Sequence, residues 1–199
     1  MVELIKSVEV VYSKAQAEAQ GLTNLKAMNL DAMEDDPRYA FMAALERDIP
    51  ARAKLNQLKK ASDQLARIVI PHSACRSGCS YCCNISAVIC ESEARAIAKA
   101  SGRQMKTLQG VPSPSVREKW HRVPCPFLKK GRCSVYDERP MVCRLMFNMA
   151  DTPEQCNTDI PSHESHVITL NLKQLEHGFV AAFAHEAWGD IRDFFPPSQ

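Results

Sequence analysis

The chain has 199 residues, 45% of them hydrophobic and 24% charged, with a formal net charge of +2. These are globular proportions, and they exclude a disordered or collagen-like chain. The length suits one domain, or one domain with a helical extension, and no apolar run approaches the ~20 residues of a membrane span. The opening MVELIKSVEV carries Glu3 and Glu9 and no continuous apolar stretch, so it is not read as a secretory signal.

Residues 1–70 read as helical. Leu4, Ile5, Val8, Val11 and Tyr12 fall at helical spacing. The run AQAEAQ, residues 15–20, favours helix, and Gly21 is placed as a break. Asp36 and Pro37 start another helix as cap and first-turn residue, and Pro50 kinks or restarts it. Leu55, Leu58, Leu65, Ile68 and Val69 then carry one apolar face as far as Pro71. This segment is expected to be a scaffold packed on the cysteine-rich middle of the chain. The sharper alternative is a protein partner bound through the same N-terminal helices.

From Pro71 to Asn84 aliphatics give way to Cys, Ser and Gly, which reads as an ordered loop held by ligands. Residues 91–101 form a compact helix, with Ser92 and Glu93 in its opening turn and Gly102 at its end. GVPSPS, residues 110–115, is a turn or linker, and a short helix ends near Trp120. Residues 124–149 read as loops and small turns. Leu172, Leu175, Phe179, Phe183 and Ala187 are three or four apart, predicting an amphipathic helix over 171–189 with a core-facing stripe.

Nine cysteines are the outstanding feature, none before residue 75 and none after Cys156. An odd count without a secretory signal favours reduced thiols, a cytoplasmic location and metal coordination over a disulfide framework. The charge total conceals an asymmetry: residues 1–70 balance to zero, 71–149 carry +8 and 150–199 carry −6. Eight of the nine cysteines lie in the basic block. Positive charge lowers a thiol pKa and stabilises the thiolate, so the excess is expected to serve the cysteines. A nucleic-acid interface on Lys129, Lys130 and Arg132 is disfavoured, because aromatics are not interleaved with those cations. The acidic tail is expected to fold back on the basic block.

CRSGCSYCC, residues 75–83, puts Cys75, Cys79, Cys82 and Cys83 on nine residues. Its first three cysteines allow one loop to deliver three thiolates to a compact centre. Neighbouring Cys82 and Cys83 leave the backbone in different directions, so either one of them packs or the pair faces two centres. Cys125, Cys133 and Cys143 are too widely spaced for paired zinc knuckles, and suit single ligands brought in by separate turns, with Cys156 as a further one. Phe127, Leu128 and Tyr136 are expected to wall the centre from water. Arg139 and Arg144 either hydrogen-bond to thiolates or sulfide, or pair at the surface with Asp137 and Glu138. Cys90, outside both motifs, reads as a small buried apolar residue. His163 and His166 are weaker ligand candidates, His72 and His121 candidates for contacts around the ligands, and His177 and His185 too far apart to chelate together. No catalytic triad or nucleotide loop can be picked out, and catalytic residues are unassigned.

The cluster CRSGCSYCC, then CPFL and GRCSVYDERPMVCR, resembles the YkgJ-type cysteine-cluster proteins, described as zinc- or iron-chelating. The resemblance covers about residues 72–156 and implies metal binding. Flagellin lysine-N-methylases share a related cluster and are considered iron–sulfur proteins, which implies a metal-dependent modifying enzyme, methyltransferase-like or redox, as the alternative. Cys75, Cys79 and Cys82, with Tyr81 before the last, also resemble the cluster loop of radical S-adenosylmethionine enzymes. The strand–helix series of that fold is missing from the rest of the sequence.

All-sulfur ligation suits either Zn2+ or an iron–sulfur cluster. The loop spacing favours 4Fe–4S slightly, with three cysteines from one loop and a fourth from afar. The expected architecture is mainly α: a helical segment 1–70, a cysteine-cluster domain 71–160 around a loop-rich core, and a C-terminal helix within 161–199. The metal is expected to hold together a middle that lacks an apolar core of its own.

Overall fold

The computed structural model describes residues 13–113, 115–161 and 163–197; the apolar face expected at Leu4–Tyr12 lies outside them. Helix α1 spans Lys14–Met28. Ser13 caps it, its hydroxyl accepting from the Gln16 N–H while the Gln16 side chain accepts from the Ser13 N–H. Gly21 does not break the helix. A Cβ there would lie 2.6 Å from Cγ2 of Ile168, so glycine lets α1 approach that side chain closely. The helix ends instead at Asn29, in the left-handed region at φ +47°.

Asp36 caps α2 (Pro37–Glu46) by accepting from the Arg38 N–H at 2.8 Å, and Pro37 occupies the first turn. Pro50 restarts the chain as α3 (Ala51–Val69), which buries Leu55, Leu58, Leu65 and Val69. The two helices pack together, and α2 also meets α7 (Lys173–Ala182). Gly178 makes that approach possible, since a Cβ would lie 2.5 Å from Cδ1 of Leu45.

Strand β1 (Val88–Cys90) leads directly into α4 (Glu91–Ser101), which Gly102 ends at φ +69°. After the short α5 (Val116–Lys119), strands β2 (Leu128–Lys129) and β3 (Arg132–Cys133) form a hairpin. Lys130 and Gly131 at its tip both have positive φ, as a type I′ turn requires. A 3-10 turn at Tyr136–Glu138 precedes α6 (Met141–Arg144).

The helix expected over 171–189 is shorter. It stops at Ala182, and the chain returns as strand β4 (Trp188–Asp190), followed by α8 (Ile191–Phe194). β4 pairs antiparallel with β1 in the register Val88↔Asp190, Ile89↔Gly189, Cys90↔Trp188. Its backbone groups find partners across that ladder, which outweighs the helical spacing of Phe183 and Ala187.

Two apolar clusters organise the molecule. The first joins Phe41, Leu55, Leu58, Leu65 and Val69 to Leu145, Phe147, Met149, Leu175, Phe179 and Trp188. In the second, Ile89 and Ile97 pack with Phe127, Val135, Ile191, Phe194 and Phe195. Residues 124–149 therefore contribute Phe127, Val135, Met141, Leu145, Phe147 and Met149 to buried core that they share with the flanking helices. The molecule is mainly α.

Candidate metal centre

The three-residue gap between Cys75 and Cys79 is filled by a tight turn. Cys79 N–H donates to the Arg76 carbonyl at 3.1 Å, and Gly78 sits third in the turn at φ +90°. That position of a type II turn requires positive φ, and open space around Gly78 shows that conformation rather than crowding calls for glycine. A 3-10 turn over Tyr81–Asn84 then carries Cys82 and Cys83, with the Cys83 N–H bonded to the Ser80 carbonyl at 2.9 Å.

The second motif lies directly against this loop. Cys125 N–H donates to the Cys83 carbonyl at 2.7 Å, and Arg122 N–H donates to the Asn84 carbonyl at 2.8 Å. The same Cys83 carbonyl accepts from Nη2 of Arg192 at 3.0 Å, and Arg192 also holds the Val123 carbonyl. Arg192 is itself fixed by the fully buried Asp190, which accepts from its Nη1 at 3.0 Å. Cys133 ends the hairpin opposite Leu128, and Cys143 rides on α6 with its N–H on the Pro140 carbonyl.

Asn148 brings the third part in, and nothing in its spacing from the cysteines marked it. Its backbone N–H donates to Sγ of Cys75 at 3.4 Å, and its Nδ2 donates to Sγ of Cys156 at 3.2 Å. The Asn148 carbonyl accepts from Ala74 at 2.9 Å, and its Oδ1 accepts from Ala150 at 3.0 Å. Every polar group of this buried residue is therefore engaged in joining the two cysteine segments.

All nine cysteines are free thiols. Desolvation is the main cause raising the pKa of Cys75, Cys125, Cys133, Cys143 and Cys156, the last to about 11. For Cys82 the leading cause is the hydrogen bond with Cys83, followed by burial. Cys82 and Cys143 keep an edge open to water while protein atoms crowd their remaining surroundings. Mutual repulsion adds to these shifts. Cys156 feels the charges of Cys75, Cys79 and Cys82, whereas Cys143 feels those of Cys82, Cys125 and Cys133, and of Glu93. A bound cation relieves this repulsion and selects the thiolate form.

The basic block is not arranged as the charge count suggested. Arg139 lowers the pKa of Cys133, and Arg192, from the acidic tail, lowers that of Cys125. Lys129, Lys130 and Arg132 are exposed. Arg139 and Arg144 donate neither to sulfur nor to the Asp137 and Glu138 carboxylates. Both reach Oδ1 of Asp63 on α3, at 2.9 and 2.5 Å, and Arg144 also donates to the Arg139 and Asp137 carbonyls. Glu138 pairs with the buried Lys59 of α3. The ion pairs thus tie the cysteine segment to the first helices. The tail does return to the basic block at one point, where Asp193 accepts from Lys119 at 2.8 Å and from the Trp120 indole at 3.2 Å.

Phe127 is buried in the second apolar cluster against Phe195, ring centroids 5.0 Å apart. Leu128 is half-buried. Tyr136 does not form such a wall: it is 53% exposed, with the Arg139 guanidinium 4.1 Å over its ring. Cys90 is fully buried in the first apolar cluster. His163 pairs with Glu164 at the surface, His166 gives its backbone N–H to Gln155, His72 is half-buried, and His121, His177 and His185 are exposed. Clefts of about 530 and 700 Å3 lie elsewhere, and no cysteine lines either.

Among the described residues, no group of three or more Cys, His, Asp or Glu stands in an arrangement that could hold a metal ion as placed. The donor chemistry nevertheless fits a thiophilic metal, with eight free thiols besides Cys90 on loops, a hairpin and a short helix. Thr152 Oγ1 and Glu154 Oε2, within four residues of Cys156, are buried without a hydrogen-bond partner among the described residues. Buried polar atoms without partners call for a further group beside them.

Fold and site together define a mainly α protein with free thiols gathered on two adjoining segments. Residues 74–163 match the family model CxxCxxCC, "Putative zinc- or iron-chelating domain", the description of the YkgJ-type proteins that the cysteine motifs resemble. Neither the search of curated proteins nor that of solved structures found a match.

Proposed function

We propose that this protein binds an iron–sulfur cluster, in the cytoplasm, through cysteines of residues 71–160. The carrying observation is the Cys75–Cys83 loop, whose turn at Gly78 and 3-10 turn at Tyr81–Asn84 carry Cys75, Cys79 and Cys82 on eight residues, beside later single cysteines. That supply of three ligands from one loop and one from a distance suits a 4Fe–4S cluster. The candidate ligands are Cys75, Cys79, Cys82, Cys83, Cys125, Cys133, Cys143 and Cys156. The cluster would supply electron-transfer or Lewis-acid chemistry, while the protein positions and shields the thiolates. Nine free thiols suit a reducing compartment.

Anaerobic purification with metal and sulfide analysis tests this reading. Iron and acid-labile sulfide in equal amounts, with a broad visible absorbance lost in Cys79→Ser and Cys82→Ser, are expected. A colourless protein containing zinc replaces the cluster by structural zinc. A protein that binds neither metal overturns metal binding altogether.

A further inference from the structure

Asn148 is 3% exposed and its backbone is held from one side by the segment around Thr169. The Met149 N–H donates to the Ile168 carbonyl at 2.7 Å, and the Leu170 N–H donates to the Phe147 carbonyl at 3.3 Å. Phe147 and Met149 are anchored in the first apolar cluster, and Nδ2 of Asn24 on α1 donates to the Met149 carbonyl at 2.8 Å. In antiparallel pairing of this kind, the N–H and C=O of the residue between the bonded positions point away from the partner strand.

The outward backbone groups of Asn148 meet the segment bearing Cys75. The carbonyl accepts from the Ala74 N–H at 2.9 Å, and the N–H donates to Sγ of Cys75 at 3.4 Å. The side chain serves the Cys156 arm. Nδ2 gives its two hydrogens to the Thr152 carbonyl at 3.3 Å and to Sγ of Cys156 at 3.2 Å, while Oδ1 accepts from the Ala150 N–H at 3.0 Å. Those partners fix the amide's orientation, since exchanging Oδ1 and Nδ2 would set an oxygen against the Thr152 carbonyl and a donor against the Ala150 N–H. One residue therefore presents N–H donors to two sulfurs 81 positions apart in the chain.

We propose that Asn148 is a positioning residue for the metal: it holds the Cys75 and Cys156 sulfurs as a preformed pair that ligates the same centre, and both N–H···S bonds persist when that centre is loaded. A donor on sulfur draws off charge once the thiolate is bound, and donors already in place need no rearrangement when the ion arrives. The backbone donor serves Cys75 whatever side chain stands at this position. The choice of asparagine is therefore made on the Cys156 side, where a short amide reaches a sulfur, a carbonyl and an N–H at once.

This inference rests on the metal-binding reading, and its test separates the two. Full-length protein labelled with 15N is stripped of metal and reloaded anaerobically with 113Cd2+, a thiophilic ion with a nuclear spin. Scalar coupling from the Asn148 backbone N–H and from its Nδ2–H to one and the same 113Cd resonance is expected, carried through the N–H···S–Cd paths. Asn148→Asp keeps the acceptor for Ala150 and the backbone donor to Cys75, and loses the donor to Cys156. It should weaken Cd2+ binding about 10- to 100-fold while the backbone coupling persists as the sign of an intact local fold. Where that coupling is lost as well, the wild-type couplings decide. Couplings to two different 113Cd resonances overturn the shared centre, and a cadmium-loaded wild type with no coupling at Asn148 overturns the positioning role. So does an Asn148→Asp variant that binds Cd2+ as tightly as the wild type. A protein that takes up no Cd2+ overturns the proposal, and one that is also purified without iron or zinc removes the metal-binding reading itself.

Discussion

Glu93 shows how much one side chain couples in this structure. It lies on α4, is 2% exposed, and accepts from the Met141 N–H at 2.6 Å and the Cys90 N–H at 3.2 Å. It therefore joins the start of its own helix to the start of the helix bearing Cys143. Desolvation is the largest influence on its carboxyl, and the pKa rises to about 7 despite the two N–H donors and the nearby Lys59. An unfolded glutamate titrates near 4.3, so the native state holds the proton more tightly. The stability this contributes is fully present below about pH 4.3 and is lost as pH rises through 7. The difference amounts to about 4 kcal/mol. With the metal state held constant, Glu93→Gln should flatten the decline in urea-unfolding stability between pH 5 and pH 8. An unchanged slope in the variant would show that another group titrates.

At the level of elements, two helical glycines make a controlled comparison. Alanine gains up to about 1 kcal/mol over glycine inside a helix, so both Gly21→Ala and Gly178→Ala start with the same advantage. Their neighbours differ. The Cβ at Gly178 meets the far end of Leu45, at Cδ1, which can swing aside. At Gly21 it meets Ile168 at both Cγ2 and Cβ, 2.6 and 3.2 Å away, on a β-branched residue with a stiff first torsion. Gly21→Ala should therefore destabilise by about 1–3 kcal/mol, and Gly178→Ala should leave the melting temperature nearly unchanged. Equal losses in the two variants would mean that the backbones, rather than these side chains, set the spacing. Glycine at position 21 also shows what composition hides. It reads as a helix break because local propensity is all that a sequence displays, yet its reason is Ile168, 147 residues further on. Helix caps were legible because their partners are local: Asp36 with Arg38, and Gly102 after α4. β4 and the Asp63 partnership of Arg139 and Arg144 were not, since each depends on residues remote in the chain. The cysteine set was plain from spacing, but Asn148 became visible only once Cys75 and Cys156 met on it.

For the whole molecule, the matched segment 74–163 is not the unit that the interactions define. β1 lies inside it and β4 outside. Arg192 holds the Cys83 carbonyl from outside, and Asp190 accepts from Ser86 Oγ at 2.8 Å and Ala87 N–H at 2.7 Å. Asp63, on α3, anchors both Arg139 and Arg144. Cutting the segment free leaves the buried Arg144 guanidinium without its carboxylate; Asp63 is itself 39% exposed, so the cost falls below the roughly 3–5 kcal/mol of a fully buried pair. It also uncovers Phe127, whose ring packs on Phe195, and Leu145, Phe147 and Met149 of the first cluster. Those losses together rival the roughly 5–15 kcal/mol by which domains are ordinarily stable. Bound structural zinc can itself supply about 10–16 kcal/mol, so the comparison belongs in chelator. Metal-free full-length chain should melt cooperatively, while residues 74–163 alone should show no cooperative transition and a collapsed amide spectrum. In the full chain, Arg192→Ala should lower the melting temperature of the metal-free protein, because Asp190 is left buried without its cation. A well-dispersed spectrum from the metal-free fragment would instead make the matched segment an autonomous domain, with the flanking helices and β4 as additions to it.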